Sequence, residues 1–219
     1  RKPAAEPAGA EAPAASASAA ADAAREADRL LKRARQLADQ GDVIATSGAL
    51  SILDARADWK DRDGEAFAIR VRALLRARPT REAEALRTYA VRCASGPWTE
   101  GSACALAYLE ILEHGKTLPN PRSGLAEWEA RLAFWSSAPE APEAEPSLQA
   151  RRKEAALELH GGFLVFLADR TERAVEARDA SKAREAIDRA TRLVDEQGLR
   201  GALPAAAALE IVHNYSLVH

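Results

Sequence analysis

The chain is 219 residues long, 47% hydrophobic and 29% charged, with a formal net charge of −2. A balance so close to neutral excludes a global field that would select nucleic acid or an anionic membrane surface. Aromatics make up only 5%, so the core must be built from Ala, Leu, Val and Ile, and about 200 residues are enough for one good core or two small ones.

Residues 1–20 (RKPAAEPAGAEAPAASASAA) carry no large apolar side chain. They cannot offset the entropy of ordering and are expected as a disordered Ala/Pro-rich tail. Pro3, Pro7 and Pro13 favour an extended spacer, the kind of segment that follows a lipid anchor or joins two domains. The chain has no methionine, even at position 1, and reads as a processed product or a piece of something longer.

A helical-repeat region is expected over 21–136. Leu30, Leu31, Ala34, Leu37 and Ala38 form a helical stripe that stops near Gly41. Leu50, Leu53 and Ala57 continue a second helix from about Asp42. Asp63 reads as the N-cap of a third, with Phe67, Val71, Leu74 and Leu75 on one face and Pro79 at its end. Thr80 caps a fourth, which carries Ala83, Leu86, Ala90 and Cys93. The fifth, from Thr99, has Cys104, Tyr108 and Ile111 on one face and Leu109 and Leu112 on the next, which predicts a central helix. After Pro119, Pro121 and Gly124, a sixth helix places Leu125, Trp128, Leu132 and Trp135 on one stripe.

Residues 137–147 (SAPEAPEAEPS) form an acidic, proline-rich linker, either a surface excursion or a boundary between subdomains. A second helical region, packed on the first, is expected over 148–219. Leu159, Phe163 and Phe166 mark its first helix. Ala183, Ala186, Ile187, Ala190 and Val194 mark the next, from about Ser181 to Gln197. Pro204 begins the last, with Leu209 and Val212 inward. No stretch approaches the ~20 apolar residues that span a bilayer.

The chain has two cysteines. Cys93 closes one amphipathic stretch and Cys104 opens the next, with Gly96, Pro97 and Gly101 between them. A disulfide stapling a helix–turn–helix hairpin is expected, and two reduced core thiols are the competing reading. The bond would add ~3 kcal/mol by constraining the unfolded chain and would put the protein outside the reducing cytosol. No histidine lies at a short spacing to complete a metal site, and no Cys-x-x-Cys suggests redox catalysis.

Other motifs that resemble catalytic signatures read better as structure. Glu210-x-x-His213 puts a carboxylate and an imidazole one turn apart, but a di-iron bundle needs that motif twice. His160-Gly161-Gly162 is unaccompanied by a Gly-x-Ser-x-Gly elbow, so the glycines point to a kink or a close helix contact. Gly115-Lys116-Thr117 lacks the first glycine of a phosphate loop, because residue 110 is Glu, and a helix stop at Gly115 is expected. Asp61, Asp63 and Gly64 echo a calcium loop whose first and twelfth positions would be Trp59 and Arg70, neither of them a carboxylate.

Arg70 to Arg92 contains seven arginines and two glutamates. Such a helical face can hold phosphates or anionic glycans, although Arg outnumbers Lys 25 to 6 throughout the chain and a solvated face is the simpler reading. Tyr89 alone is no platform for stacked bases. The candidate partner-binding residues are Arg70, Arg76, Arg81, Arg87, Trp128 and Trp135; the tryptophan stripe could line a binding groove, but such spacing more often means core.

Helix pairs in series, small residues at contact positions and the segment ASGPWTEGSACALAYLEILEHGKTLP resemble the tetratricopeptide-like superfamily. That segment is similar to the cysteine-paired short helical repeats of secreted bacterial proteins. The resemblance implies an all-α fold of about nine helices, with antiparallel hairpins stacked as an α-solenoid or an irregular bundle. It implies recognition of a protein, a peptide or an envelope component, with no catalysis and no cofactor, and with membrane contact only through an N-terminal tether. The expected address is the periplasm or outer envelope of a GC-rich bacterium. The other readings are a sensor region of a larger receptor or kinase, a carrier that encloses an apolar ligand between Trp128, Trp135, Phe163 and Phe166, and a small helical metalloenzyme.

Overall fold

A computed structural model describes residues 12–55, 63–78, 81–120, 123–143 and 145–199, with side chains from residue 21 onward. Among the described residues every regular element is a helix. They are α1 (Ala12–Asp39), α2 (Val43–Asp54), α3 (Asp63–Ala77), α4 (Glu82–Cys93), α5 (Ala103–Gly115), α6 (Leu125–Ser137), α7 (Pro146–Glu176) and α8 (Ala180–Glu196). None of them is long and apolar enough to cross a membrane. The chain divides into two compact units between Ala107 and Tyr108. The expected last helix, from Pro204, lies outside the described residues.

In the first unit, α1 buries Ala27, Leu31, Ala34 and Ala38, with Leu30 and Leu37 half-buried beside them. The helix begins at Ala12, so residues 12–20 of the segment read from sequence as a disordered tail are helical. Alanine is the strongest helix former, and Pro13 is tolerated in a first turn where its missing N–H would have had no partner.

The turn out of α1 is set by Gly41. Its φ is +71°, its N–H donates to Ala38 O at 2.9 Å, and the next N–H, of Asp42, donates to Leu37 O at 3.0 Å. This closes the helix in the left-handed conformation that glycine adopts without penalty. A side chain here would also collide with the Arg76 carbonyl, 2.5 Å from an ideal Cβ. Asp42 then caps α2 by accepting from Ala45 N at 2.9 Å. The α7–α8 joint has the same grammar. Arg178 has φ +55°, Asp179 N donates to Ala174 O at 2.8 Å, and the Asp179 carboxylate accepts from Lys182 N at 3.1 Å.

Helix α3 lies against α1, α2 and α4 and is buried on nearly every side by Ala66, Phe67, Ala68, Ile69, Val71, Ala73, Leu74 and Leu75. Asp63, expected as its N-cap, is its first helical residue. The cap expected at Thr80 and the contact expected at Ala57 fall outside the described residues. The fifth helix starts later than expected, at Ala103, with Ser102 Oγ accepting from Ala105 N at 3.3 Å.

In the second unit, α7 packs along α8, whose Ala183, Ala186, Ile187 and Ala190 form the inward stripe. The sixth helix meets α7 through Trp128, whose ring centroid is 5.5 Å from those of both Phe163 and Phe166. The acidic segment 137–147 therefore lies within this unit, between α6 and α7, and the division between units falls earlier, inside α5.

Candidate interaction surfaces

The cysteines meet as the spacing predicts. Cys93 ends α4, Cys104 lies in the first turn of α5, and the pair is at disulfide distance with Cα atoms 5.5 Å apart. Both residues are buried. Between them, Trp98 packs edge-on against Tyr89 with ring centroids 5.9 Å apart, so the loop has its own aromatic anchor.

The arginines of α3 and α4 divide into two sets. Arg70 pairs with Asp54 of α2, Arg72 with Asp39 of α1 at 3.4 Å, and Arg92 with Asp63 of α3. Arg92 also lies over the Phe67 ring, 4.4 Å from its centroid. These pairs fasten the elements around α3 to it. Each is partly solvated, so orientation is their main contribution and the energy is small. Arg76, Arg78, Arg81 and Arg87 are exposed. Arg81 lies 3.9 Å from Glu84, and Arg87 Nε donates to Ala83 O at 3.3 Å. Of the four arginines singled out from sequence, Arg76, Arg81 and Arg87 face solvent, while Arg70 is half-buried and engaged with Asp54.

Trp128 and Trp135 are only 3% and 6% exposed, which corrects their placement on a partner-binding surface. Their stripe faces the second unit's core, while Glu127, Glu129 and Ala130 of the same helix are exposed. The rings of Trp128, Phe163 and Phe166 contact one another. Gly162 makes this approach possible: an ideal Cβ there would sit 2.7 Å from a Leu118 methyl and 3.1 Å from the Trp128 ring. Gly162 thus serves close contact, one of the two roles the paired glycines suggested.

His160 is buried in α7, and burial pushes its pKa below the usual imidazole value. Glu210 and His213 lie outside the described residues. Gly115 ends α5 against the Trp135 ring, Lys116 Nζ pairs with Glu113 at 3.2 Å and Glu158 at 3.5 Å, and Thr117 Oγ1 donates to Glu113 O at 2.9 Å. These three residues form a helix stop with its polar groups occupied by the protein itself. Among the described residues no group of three or more His, Cys, Asp or Glu is placed to hold a metal.

One constellation was not legible in the sequence. The Arg152 side chain, 14% exposed, lies over the Trp135 ring, 4.9 Å from its centroid. Its Nη1 donates to Pro139 O at 2.8 Å and its Nη2 to Glu140 Oε1 at 2.7 Å. The Tyr108 hydroxyl donates to the same Pro139 carbonyl at 3.2 Å. Burial raises the Tyr108 pKa, against the opposing pull of Arg152, so the phenol is a donor at neutral pH. The only advance signal was an acidic, proline-rich stretch followed closely by Arg151 and Arg152.

Comparison with known proteins gave no match to a family model, a curated protein or a solved structure.

Proposed function

We propose that this chain is a non-catalytic recognition module of the helical-repeat kind, built from antiparallel hairpins stacked as a tetratricopeptide-like solenoid or an irregular bundle. It binds a protein, peptide or envelope component outside the reducing cytosol. The observation that carries the reading is the exposure of Arg76, Arg81 and Arg87 on α3–α4, beside arginines already spent on internal ion pairs. Guanidinium groups on a rigid helical scaffold suit an acidic partner, because each presents planar donors to a carboxylate or phosphate. Supporting the repeat architecture is the recurrence of one joint at α1–α2 and α7–α8: a left-handed residue followed by a capping aspartate. Supporting the compartment is the cysteine pair at disulfide distance.

The test is site-specific photo-crosslinking from Ala90, exposed on α4 near Arg87, with the same probe at Asp188 of α8 as control. The captured partner is then purified and titrated against the wild-type chain and against the combined Arg76→Glu, Arg81→Glu, Arg87→Glu variant. Adducts from Ala90 alone, with affinity lost on charge reversal, are expected. Affinity unchanged by charge reversal, or turnover of a small substrate by the purified chain, overturns the reading. Thiol alkylation in the natural host, with and without reductant, tests the compartment: labelling without reductant removes it.

A further inference from the structure

The segment between α6 and α7 is held in an unusual way. Ala138 adopts φ −69° and ψ 140°, the extended polyproline conformation. Pro139 and Pro142 have no N–H to offer a neighbouring element. The grip comes from side chains acting on features common to any extended acidic chain. Arg152 and Tyr108 both donate to the Pro139 carbonyl, Arg152 also takes the next residue's carboxylate, and Gln149 Nε2 donates to Pro142 O at 3.2 Å. Beneath them Trp135 supplies an apolar floor and a cation–π face for the guanidinium. An aromatic floor, a carbonyl donor and an arginine at one-residue offset are the parts with which grooves recognise extended proline-bearing peptides and acidic motifs. The captured Glu140 carboxylate is itself 83% exposed, while Ala138, two residues earlier, is buried, so the strap runs from a buried start out to the surface at Glu140.

We propose that Tyr108, Trp135 and Arg152 form a peptide-binding socket. In this structure it is filled by the chain's own Pro139–Glu140, and it takes an extended, acidic, proline-bearing segment of another protein when that strap lifts. The charge and spacing of the strap define the ligand: a residue whose carbonyl faces Tyr108 and Arg152, followed by a carboxylate. The strap is an autoinhibitory ligand, and its tethering makes it a strong competitor by effective concentration. The socket belongs to the second unit and does not depend on the arginine face of α3–α4.

The experiment uses the full chain and a fluorescein-labelled peptide of residues 138–146 (APEAPEAEP), followed by anisotropy. A strap-weakened variant, Glu140→Ala with Pro142→Gly, is expected to bind the peptide about tenfold or more tighter than wild type, because the closed population no longer reduces apparent affinity. Arg152→Ala is expected to lose binding although its strap is equally released, and Arg152→Lys, with a cation but no planar fork, is expected to fall between. The combined Arg76→Glu, Arg81→Glu, Arg87→Glu variant should bind as wild type does, which separates this proposal from the preceding one. Equal affinity of wild-type and strap-weakened chains, or undiminished binding by Arg152→Ala, overturns it. A measurement on the unmutated chain guards against misfolded variants. Saturating peptide should shift the 13C resonance of the Pro139 carbonyl, which loses the hydrogen bonds from Tyr108 and Arg152 when the strap lifts, and no change at saturation overturns the proposal.

Discussion

At Gly41 two independent constraints coincide: a φ of +71° and a neighbouring carbonyl 2.5 Å from where a Cβ would stand. Gly41→Ala cannot relax one without meeting the other, so a loss of about 2 kcal/mol or more is expected in urea unfolding, above the 1–2 kcal/mol of left-handed strain alone. His160 makes a prediction of a different kind. Burial disfavours its charged form, so its folded pKa lies below the unfolded value of about 6.5. The unfolded chain then binds more protons as pH falls. The stabilisation is complete above the unfolded pKa and is lost as pH drops toward the folded one. Thermal melts should therefore show wild type losing more stability than His160→Gln between about pH 7.5 and pH 5.5; parallel pH profiles would refute this.

Among the elements, the joints decide where helices stop and start. Asp42→Ala removes the acceptor for Ala45 N and should cost about 1 kcal/mol, the usual worth of an N-cap. The link from α4 to α5 should cost more. With the pair at disulfide distance closing a sequence separation of 11, Cys93→Ala with Cys104→Ala is expected to lose about 3 kcal/mol by the chain-entropy argument. Reductant should lower the melting temperature of the wild type and leave the double variant unchanged. These joints were also the most legible parts of the chain. Gly41-Asp42 announces a stop and a cap, and Cys93 and Cys104 announce their meeting through the glycines and proline between them. The α7–α8 joint was harder to see, because Arg178 adopts φ +55° without being glycine and only the following aspartate gives a cue.

Across the whole molecule, charge separates what holds the fold from what faces outward. Arg70, Arg72 and Arg92 connect α3 to its neighbours, whereas the side chains of Arg76, Arg81 and Arg87 are exposed, with Arg81 beside Glu84 and Arg87 bonded to the Ala83 carbonyl. Reversing the outward three should leave unfolding free energy within about 0.5 kcal/mol of wild type, as surface changes usually do, and a larger loss would show that they are structural. Composition along the chain could not make that distinction, since all six lie in one arginine-rich stretch. Nor could it place the unit division. The proline-rich acidic stretch reads as either a surface excursion or a boundary, but Trp128 packs with Phe163 and Phe166 and Arg152 grips Pro139 and Glu140, which makes it an internal connection.

Helical character, the order of the elements and the cysteine pairing were written in the sequence, because each depends on neighbours within a few turns: the 3.6-residue apolar period, capping side chains, and a short loop between two thiols. The tertiary structure alone decided that Trp128 and Trp135 are core, which arginines are spent on ion pairs, and that Arg152 holds the acidic strap. Those outcomes depend on which faces of distant segments meet, and a side chain's partner across such a contact leaves no periodic trace in the residues around it.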